Sequence, residues 1–306
     1  MKFRTEVNID KPTFSIRPLE RMLFVGSCFA DNIGKRFKEE KFRAVVNPYG
    51  VMYNPVSILH TVRRFVLSNL DDNRETSADS VSILPPCGDK RGAVADSFPI
   101  LPPWGDKRGA VAVFTLGTNH VYRLKETGEI VDNCRKRPQR LFQEEELTID
   151  QCKDALAQAV DLLNSVVGDV QVIVTVSPIR YAKYGFHGSQ LSKATLLLAA
   201  DKLCRERANC TYFPAYEIVN DELRDYRFYK EDMLHPSEQA VSYIWERFSE
   251  TFFDDATFAF LNKWRPIKEA LGHKPFNPDG EEYKLFMERT RQKIEQLKSE
   301  YPDLII

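Results

Sequence analysis

Three short apolar runs, each stopped by a glycine or a proline, constrain the fold of this chain more than any other feature. They lie at residues 22–26, 111–116 and 170–178, and the last of them is rich in β-branched residues. Short runs that are apolar throughout are typical of strands buried on both faces of a parallel sheet. Stretches with the apolar spacing of an amphipathic helix follow these runs. The sequence therefore predicts an α/β fold with a central parallel sheet.

The remaining pattern predicts one large domain followed by a helical extension. Shorter apolar runs at 42–46 and 211–213 add strands, and residues 120–133 predict a hairpin that turns at "ETGE". We place the main domain at residues 1–253 and the C-terminal extension at 254–306. Helical spacing is found at 29–39, 56–68, 150–167, 189–206 (with Ser189 as its N-cap), 236–253, 255–270 and 279–299.

A tandem repeat interrupts the main domain. "DSVSILPPCGDKRGAVA" at 79–95 is followed directly by "DSFPILPPWGDKRGAVA" at 96–112. Two copies rich in proline and glycine are too few for a solenoid. Because insertions in surface loops cost little free energy, we interpret residues 79–112 as a loop insertion.

Charge and composition exclude several classes of function. The 306 residues include 43 basic and 44 acidic ones, a balance that argues against a nucleic-acid or membrane-surface role. The first residues, "MKFRTEVNIDKP", lack an apolar run and no stretch reaches membrane length, so we expect no signal peptide and no membrane span. The six cysteines form no C-x-x-C pair, which argues against zinc and favours reduced thiols in a cytoplasmic protein. For the same reason we expect no metal, and we expect no cofactor, since a G-x-G-x-x-G loop and a P-loop, which bind nucleotides, are both absent.

Polar side chains follow the three strands at the point where each one ends. Ser27 and Cys28 follow the first strand, Asn119 follows the second, and Arg180 follows the third. Ligand sites in parallel sheets form at the carboxyl ends of the strands. We therefore expect these residues to border one crevice.

One histidine has neighbours in sequence that suit acid–base chemistry. His235 lies in "EDMLHPS", three residues after Asp232, and a tight turn of that spacing brings a carboxylate within hydrogen-bond reach of an imidazole. Asp-x-x-His is a weak signal alone, and it gains value from the nucleophile candidates after the first strand. His120 and His187 lie beside turns and stay open as binding residues.

Several motifs together resemble one known family. "GSCFA" (26–30), "NPYGVMYNP", "FTLGTN", "VSPIR", "LSKATLL", "YFPAYEIVNDELRDYRFY" and "DMLHPS" resemble the GSCFA family, over about residues 1–250. That family is grouped with the SGNH (GDSL-type) hydrolases, which implies a three-layer α/β/α fold. The resemblance implies that Asp232 and His235 are catalytic and that Gly50 and Asn119 contribute to an oxyanion hole. Each oxyanion donor is worth about 3 kcal/mol in the transition state.

Two adjacent residues compete for the role of nucleophile. Matching Gly-Asp-Ser to Gly26-Ser27-Cys28 without a gap puts Cys28 at the nucleophile position, at the start of a helix whose dipole stabilises an anion. The usual chemistry of the SGNH hydrolases favours serine instead, and thus Ser27. A third interpretation is that Cys28 only packs beneath the helix and Ser27 only caps it. The sequence leaves these alternatives open, with a slight preference for Cys28.

The expected function follows from this resemblance. We predict an esterase or deacylase that removes a short acyl group from an alcohol, such as a carbohydrate, through an acyl-enzyme. The alternatives are an acyltransferase that uses the same site and an inactive SGNH-like binding protein. Arg180 is expected to bind a substrate carboxylate or phosphate, unless it pairs with Glu217 or Asp225, and His187 is a second candidate for substrate binding. The sequence predicts no oligomeric state.

Overall fold

The computed structural model describes residues 4–71, 109–134 and 136–306, which form an α/β fold with additional C-terminal helices. The predicted fold class is confirmed. The strands and helices of this part of the chain are, in order, β1 (Arg21–Gly26), α1 (Cys28–Glu39), β2 (Arg43–Val46), α2 (Pro55–Asp71), β3 (Ala110–Leu116), β4 (His120–Leu124), β5 (Ile130–Val131), β6 (Phe142–Glu146), α3 (Ile149–Val167), β7 (Val170–Val176), α4 (Gly185–Glu206), β8 (Cys210–Tyr212), α5 (Ala215–Glu217), α6 (Glu238–Phe252), α7 (Asp255–Gly272) and α8 (Glu281–Glu300).

The central sheet is parallel and has the strand order β2-β1-β3-β7-β8. The order of strands reverses between β1 and β3, since β2 lies on one side of β1 and β3 on the other. Loops diverge at such a switch point and leave a crevice beyond the carboxyl ends of the strands. The turn that carries Ser27 and Cys28 lies at this point.

Alternating side chains of the strands pack against helices on both faces. Leu23 and Val25 of β1 belong to one apolar core, which α2, α3 and α4 cover. Met22 and Phe24 point to the opposite face, where α1 and α6 cover a second core. Period-two alternation therefore divides one uniformly apolar strand between two cores and produces the three-layer α/β/α arrangement.

Two elements differ from the sequence prediction. The predicted hairpin is extended by β6 into a small antiparallel sheet with the order β5-β4-β6. The sequence did not predict β6 ("FQEEE"), because a segment this charged lacks the apolar pattern of a strand. Helix α4 begins at Gly185 rather than after Ser189. The Ser189 hydroxyl lies within the helix and accepts a hydrogen bond from the Tyr181 N–H at 3.2 Å.

The C-terminal helices α7 and α8 pack together and contact the end of α1. The Trp264 indole N–H donates to the Glu39 carbonyl at 3.0 Å, and Lys268 pairs with Glu40 at 2.7 Å. Cys28 is at the other end of α1, about 17 Å away at 1.5 Å per residue. The extension therefore contacts the end of α1 that is remote from the candidate nucleophiles.

Most of the tandem repeat, residues 79–108, lies outside the described residues, and its last residues lead into β3. Across residues 4–71, 109–134 and 136–306, no helix has both the length and the hydropathy that a membrane crossing requires.

Candidate active site

The turn between β1 and α1 is fixed by Gly26. Its φ is +152°, and a Cβ at this position would lie 2.2 Å from the Thr115 carbonyl oxygen of β3. The Gly26 N–H donates to Asn47 Oδ1 at 2.9 Å, and the Ser27 N–H donates to the Thr115 carbonyl at 3.1 Å. The turn is thus held against the neighbouring strand, so the position of Cys28 follows from the packing of β1 on β3.

Ser27 and Cys28 occupy different environments. Ser27 is 1% exposed, and its hydroxyl caps α1 by accepting the Phe29 N–H at 3.3 Å. Cys28 is half-buried and is the first residue of the helix. Its backbone N–H belongs to the first turn, where no intrahelical acceptor exists. Within the described residues no hydrogen bond uses that N–H, so Cys28 combines a partly accessible thiol with a free backbone donor.

The loop before α2 places a tyrosine beside the Cys28 thiol. The Tyr53 hydroxyl lies 3.7 Å from Cys28 Sγ. The Tyr53 carbonyl accepts hydrogen bonds from the N–H groups of Gly117 and Thr118, both at 2.8 Å, which anchors the loop at the end of β3. Burial, Cys28 and the charge of Asp31 raise the pKa of Tyr53 to about 12, so this hydroxyl remains protonated at neutral pH.

Asp232 and His235 form the predicted pair. Asp232 Oδ2 lies 2.6 Å from His235 Nδ1, and Asp232 Oδ1 accepts the N–H groups of Leu234 and His235 at 2.9 Å. These backbone donors, followed by the imidazole, lower the pKa of Asp232 to about 2. An ionised Asp232 directs the Nδ1 proton towards itself, which leaves Nε2 as the nitrogen available for a base. Among the described residues Nε2 has no hydrogen-bond partner, and no hydrogen bond joins His235 to Cys28.

Arg180 contacts the loop of the Asp232–His235 pair. Its backbone N–H donates to the Leu234 carbonyl and its Nη1 donates to the Met233 carbonyl, both at 3.0 Å. Met233 has a φ of +56°, which is uncommon for a residue other than glycine. The guanidinium also lies 4.1 Å from the centre of the Phe186 ring, and it makes no ion pair within the described part of the chain. Arg180 therefore contacts the loop that carries Asp232 and His235, and its role in substrate binding stays a prediction.

The two residues expected from the resemblance to supply oxyanion donors make hydrogen bonds within the fold, and their role stays a prediction. The Gly50 N–H donates to the Asn47 carbonyl at 2.9 Å. Asn119 is 2% exposed, and its amide nitrogen donates to the Leu147 carbonyl at 2.9 Å. The Cys28 N–H, which has no hydrogen-bond partner among the described residues, was not predicted as a donor from the sequence. His187, exposed in the first turn of α4, has no hydrogen-bond partner among the described residues.

A buried lysine connects the strand ends behind this site. Lys193 of α4 is 2% exposed, and its Nζ donates to the carbonyl oxygens of Gly117 at 2.7 Å and Ser177 at 2.8 Å. Burial lowers the pKa of Lys193 to about 7. Lys193 was not predicted as a site residue, although a lysine on the apolar face of a helix, as in "LSKATLL", indicates a buried amine. Lys193 links the ends of β3 and β7, the two strands that precede Asn119 and Arg180.

No side-chain cluster suited to a metal is found in residues 4–71, 109–134 and 136–306, where groups of three or more His, Cys, Asp or Glu residues at ligand distances are absent.

Comparisons with known proteins identify the family. No curated protein matches the chain. A carbohydrate esterase family 3 structure from Talaromyces cellulolyticus is 13% identical with a TM-score of 0.28, over 46% of this chain and 55% of that one. A likeness at that TM-score carries no weight for fold or function. The sequence model "GSCFA domain protein, C-terminal domain" matches residues 264–305. The GSCFA family model matches residues 21–81 and 107–248, about two thirds of the chain, which therefore belongs to the GSCFA family.

Proposed function

We propose that the chain is an SGNH-like esterase that removes a short acyl group from an alcohol of the carbohydrate type, with Cys28 as its nucleophile. The main support is the contrast between the two candidates. The Ser27 hydroxyl is buried and serves as a helix cap, whereas the Cys28 thiol is partly accessible at the start of α1. A helix N-terminus stabilises a thiolate, which is the reactive form of cysteine.

The proposed reaction proceeds through a thioester. The Cys28 thiol gives its proton to His235 Nε2, and the sulfur attacks the carbonyl carbon of the ester. The carbon–oxygen bond then breaks, the imidazolium protonates the departing alcohol, and the acyl group remains on the sulfur. Water attacks the thioester with His235 as base, which releases the acid and restores the thiol.

The backbone and the carboxylate supply the remaining roles. The free Cys28 N–H is suited to stabilise the oxyanion of the tetrahedral intermediate. Asp232 orients the imidazole through Nδ1, as their 2.6 Å separation supports. Cys28 and His235 must approach each other when substrate binds, and catalytic hydrogen bonds commonly tighten at that stage.

Hydrolysis of p-nitrophenyl acetate by single variants tests the proposal. We expect Cys28→Ala and His235→Ala to lose hydrolysis above the uncatalysed rate. Cys152→Ala controls for thiol loss, since Cys152 is fully buried and burial raises its pKa to about 12. If Ser27→Ala is folded and is the one variant that loses activity, Ser27 rather than Cys28 is the nucleophile. Activity that is unchanged in all variants would refute the hydrolase.

Two alternatives share the site. A thioester readily passes its acyl group to an alcohol, so an acyltransferase is favoured if added glycerol yields acylated glycerol faster than free acid forms. The lack of a hydrogen bond between Cys28 and His235 within the described residues favours an inactive binding protein. That alternative predicts no turnover with any p-nitrophenyl ester and equal rates for parent and variants.

We also propose the setting and the domain division. Cys28, Cys134, Cys152, Cys204 and Cys210 are free thiols, which suits a reducing compartment such as the cytoplasm. Residues 1–253 would form the catalytic domain and residues 254–306 an extension, since that extension contacts the far end of α1. Hydrolysis by a chain truncated after residue 253 would test this division, with a folded and inactive product as the contrary result.

A further inference from the structure

A polar side-chain group beside the candidate nucleophile comes from a tyrosine that the proposed reaction does not use. Tyr53 Oη lies 3.7 Å from Cys28 Sγ, and in the described part of the chain it is the sulfur's only hydrogen-bonding partner. Since this hydroxyl touches a reacting atom, its chemistry affects the first step of any reaction at Cys28.

We propose that Tyr53 is a catalytic residue whose hydroxyl donates a hydrogen bond to the Cys28 thiolate and thereby increases the fraction of thiolate at neutral pH. The inference rests on the proposed function for its role in turnover. Its effect on the thiol is independent of any substrate.

The direction of the hydrogen bond follows from the two acids involved. The pKa of Tyr53 is raised to about 12, so the phenol keeps its proton under conditions in which a thiol ionises. A protonated phenol donates and a thiolate accepts, and hydrogen bonds to charged groups are stronger than those between neutral groups. Tyr53 keeps its proton throughout, so His235 still receives the proton that Cys28 loses.

The surroundings explain why a donor matters here. Asp31 from the first turn of α1 contributes a negative charge that acts on Tyr53, which lies against Cys28. Tyr181, after β7, packs its ring edge-on against Tyr53 at 5.8 Å. Among the described residues, Cys28 and Asp31 are the titratable groups of α1 that act on Tyr53, and Tyr181 contacts Tyr53 through its ring. Neither Asp31 nor Tyr181 supplies a positive charge, whereas the Tyr53 hydroxyl and the dipole of α1 favour a thiolate.

The position of the hydroxyl is built into the fold. Two backbone N–H groups hold the Tyr53 carbonyl at the end of β3, and the Met52 N–H donates to the Gly26 carbonyl at 2.9 Å. The same turn of β1 therefore positions both the thiol and the loop that carries the phenol. Removing the phenolic oxygen alone leaves all of these backbone hydrogen bonds in place.

The test compares Tyr53→Phe with Tyr49→Phe. Both tyrosines are 38% exposed and belong to the same loop, but the Tyr49 hydroxyl contacts Ser68 Oγ at 3.1 Å. The rate of iodoacetamide labelling of Cys28 is followed by peptide mass spectrometry on the full chain, from pH 5 to pH 10. Peptide-level detection separates Cys28 from the other thiols.

We expect Tyr53→Phe to shift the midpoint of the labelling profile upward by about one pH unit, and to slow labelling at pH 7 about tenfold. Tyr49→Phe should follow the parent profile. A Tyr53→Phe profile that coincides with the parent, or that shifts downward, would overturn the inference.

A second measurement keeps the inference testable if Tyr53→Phe does not fold. Replacing all tyrosines by 3-fluorotyrosine makes the phenol more acidic and a stronger donor, so the labelling midpoint should move downward. An unchanged midpoint would count against the inference. Because labelling needs no ester, a normal Tyr53→Phe profile together with inactive Cys28→Ala and His235→Ala would refute this inference and leave the proposed function standing.

Discussion

Replacing Gly26 by alanine should destabilise the protein severely. A residue with a side chain pays about 1–3 kcal/mol for a strongly positive φ, and here φ is +152°. The new Cβ would also lie 2.2 Å from the Thr115 carbonyl oxygen and 2.8 Å from Thr115 Cβ. Because β3 is central in the sheet, its backbone cannot easily move away, and overpacking of this kind costs about 1–3 kcal/mol.

Together these terms predict a loss of about 4 kcal/mol in the free energy of unfolding for Gly26→Ala. That is a large part of the stability of an ordinary domain. Urea denaturation followed by tryptophan fluorescence measures the loss, and thermal melting should show a decrease of about 10 °C. Activity per folded molecule should also fall, because Cys28 is displaced with the turn.

Gly128→Ala is the matched control. Gly128 has a φ of +73°, but no heavy atom of the described residues lies within 4 Å of a Cβ built there. The free energy of unfolding of this variant should fall only by the cost of the positive φ, about 1–2 kcal/mol. Equal losses for Gly26→Ala and Gly128→Ala would refute the claim that contact with Thr115 fixes the turn.

Three further predictions concern residues around the site. Arg180→Gln removes the charged donor to the Met233 carbonyl, so kcat for p-nitrophenyl acetate should fall about tenfold with KM unchanged; a rise in KM alone would favour substrate binding instead. Because the pKa of Lys193 is lowered in the folded state, the unfolded chain binds more protons than the folded chain above pH 7. Between pH 7 and pH 9 the free energy of unfolding of the parent should therefore rise by about 2 kcal/mol relative to that of Lys193→Met. Urea titrations at both pH values check this, and a constant difference would contradict it. The pKa of Asp232 is lowered in the folded state, so ionised Asp232 stabilises the fold at pH values above its pKa in the unfolded chain. Asp232→Asn should therefore have a lower free energy of unfolding than the parent at pH 7, and the difference should vanish as the pH falls towards 2. A difference that persists at pH 2 in denaturation curves would argue against this role.

Local patterns predicted the strands and helices well, because uniform apolar runs and helical spacing directly reflect burial. The charged strand β6 escaped this approach, since it is stabilised by pairing with β4 rather than by its own apolar residues. The start of α4 was placed four residues late, because the Ser189 hydroxyl caps a loop rather than its own helix.

The candidate site was predictable where its residues are neighbours in sequence. The Asp232–His235 pair follows from a three-residue spacing, and the order of Ser27 and Cys28 after Gly26 raised the question that burial now helps to answer. Tyr53 and Lys193 were not predicted as site residues, because their partners lie 25 and 76 positions away in the chain. Gly50 and Asn119 matched a motif, but their hydrogen bonds depend on neighbours that a motif does not specify.

The anchoring of Tyr53 through its main chain has a consequence for protein engineering. The carbonyl at position 53 holds the loop whichever side chain is present, while the side chain alone reaches the sulfur. Position 53 is therefore suited to saturation mutagenesis, since members of such a library would share one scaffold and differ in the group that faces the thiol. Selection for acyl transfer over hydrolysis could begin at this single codon.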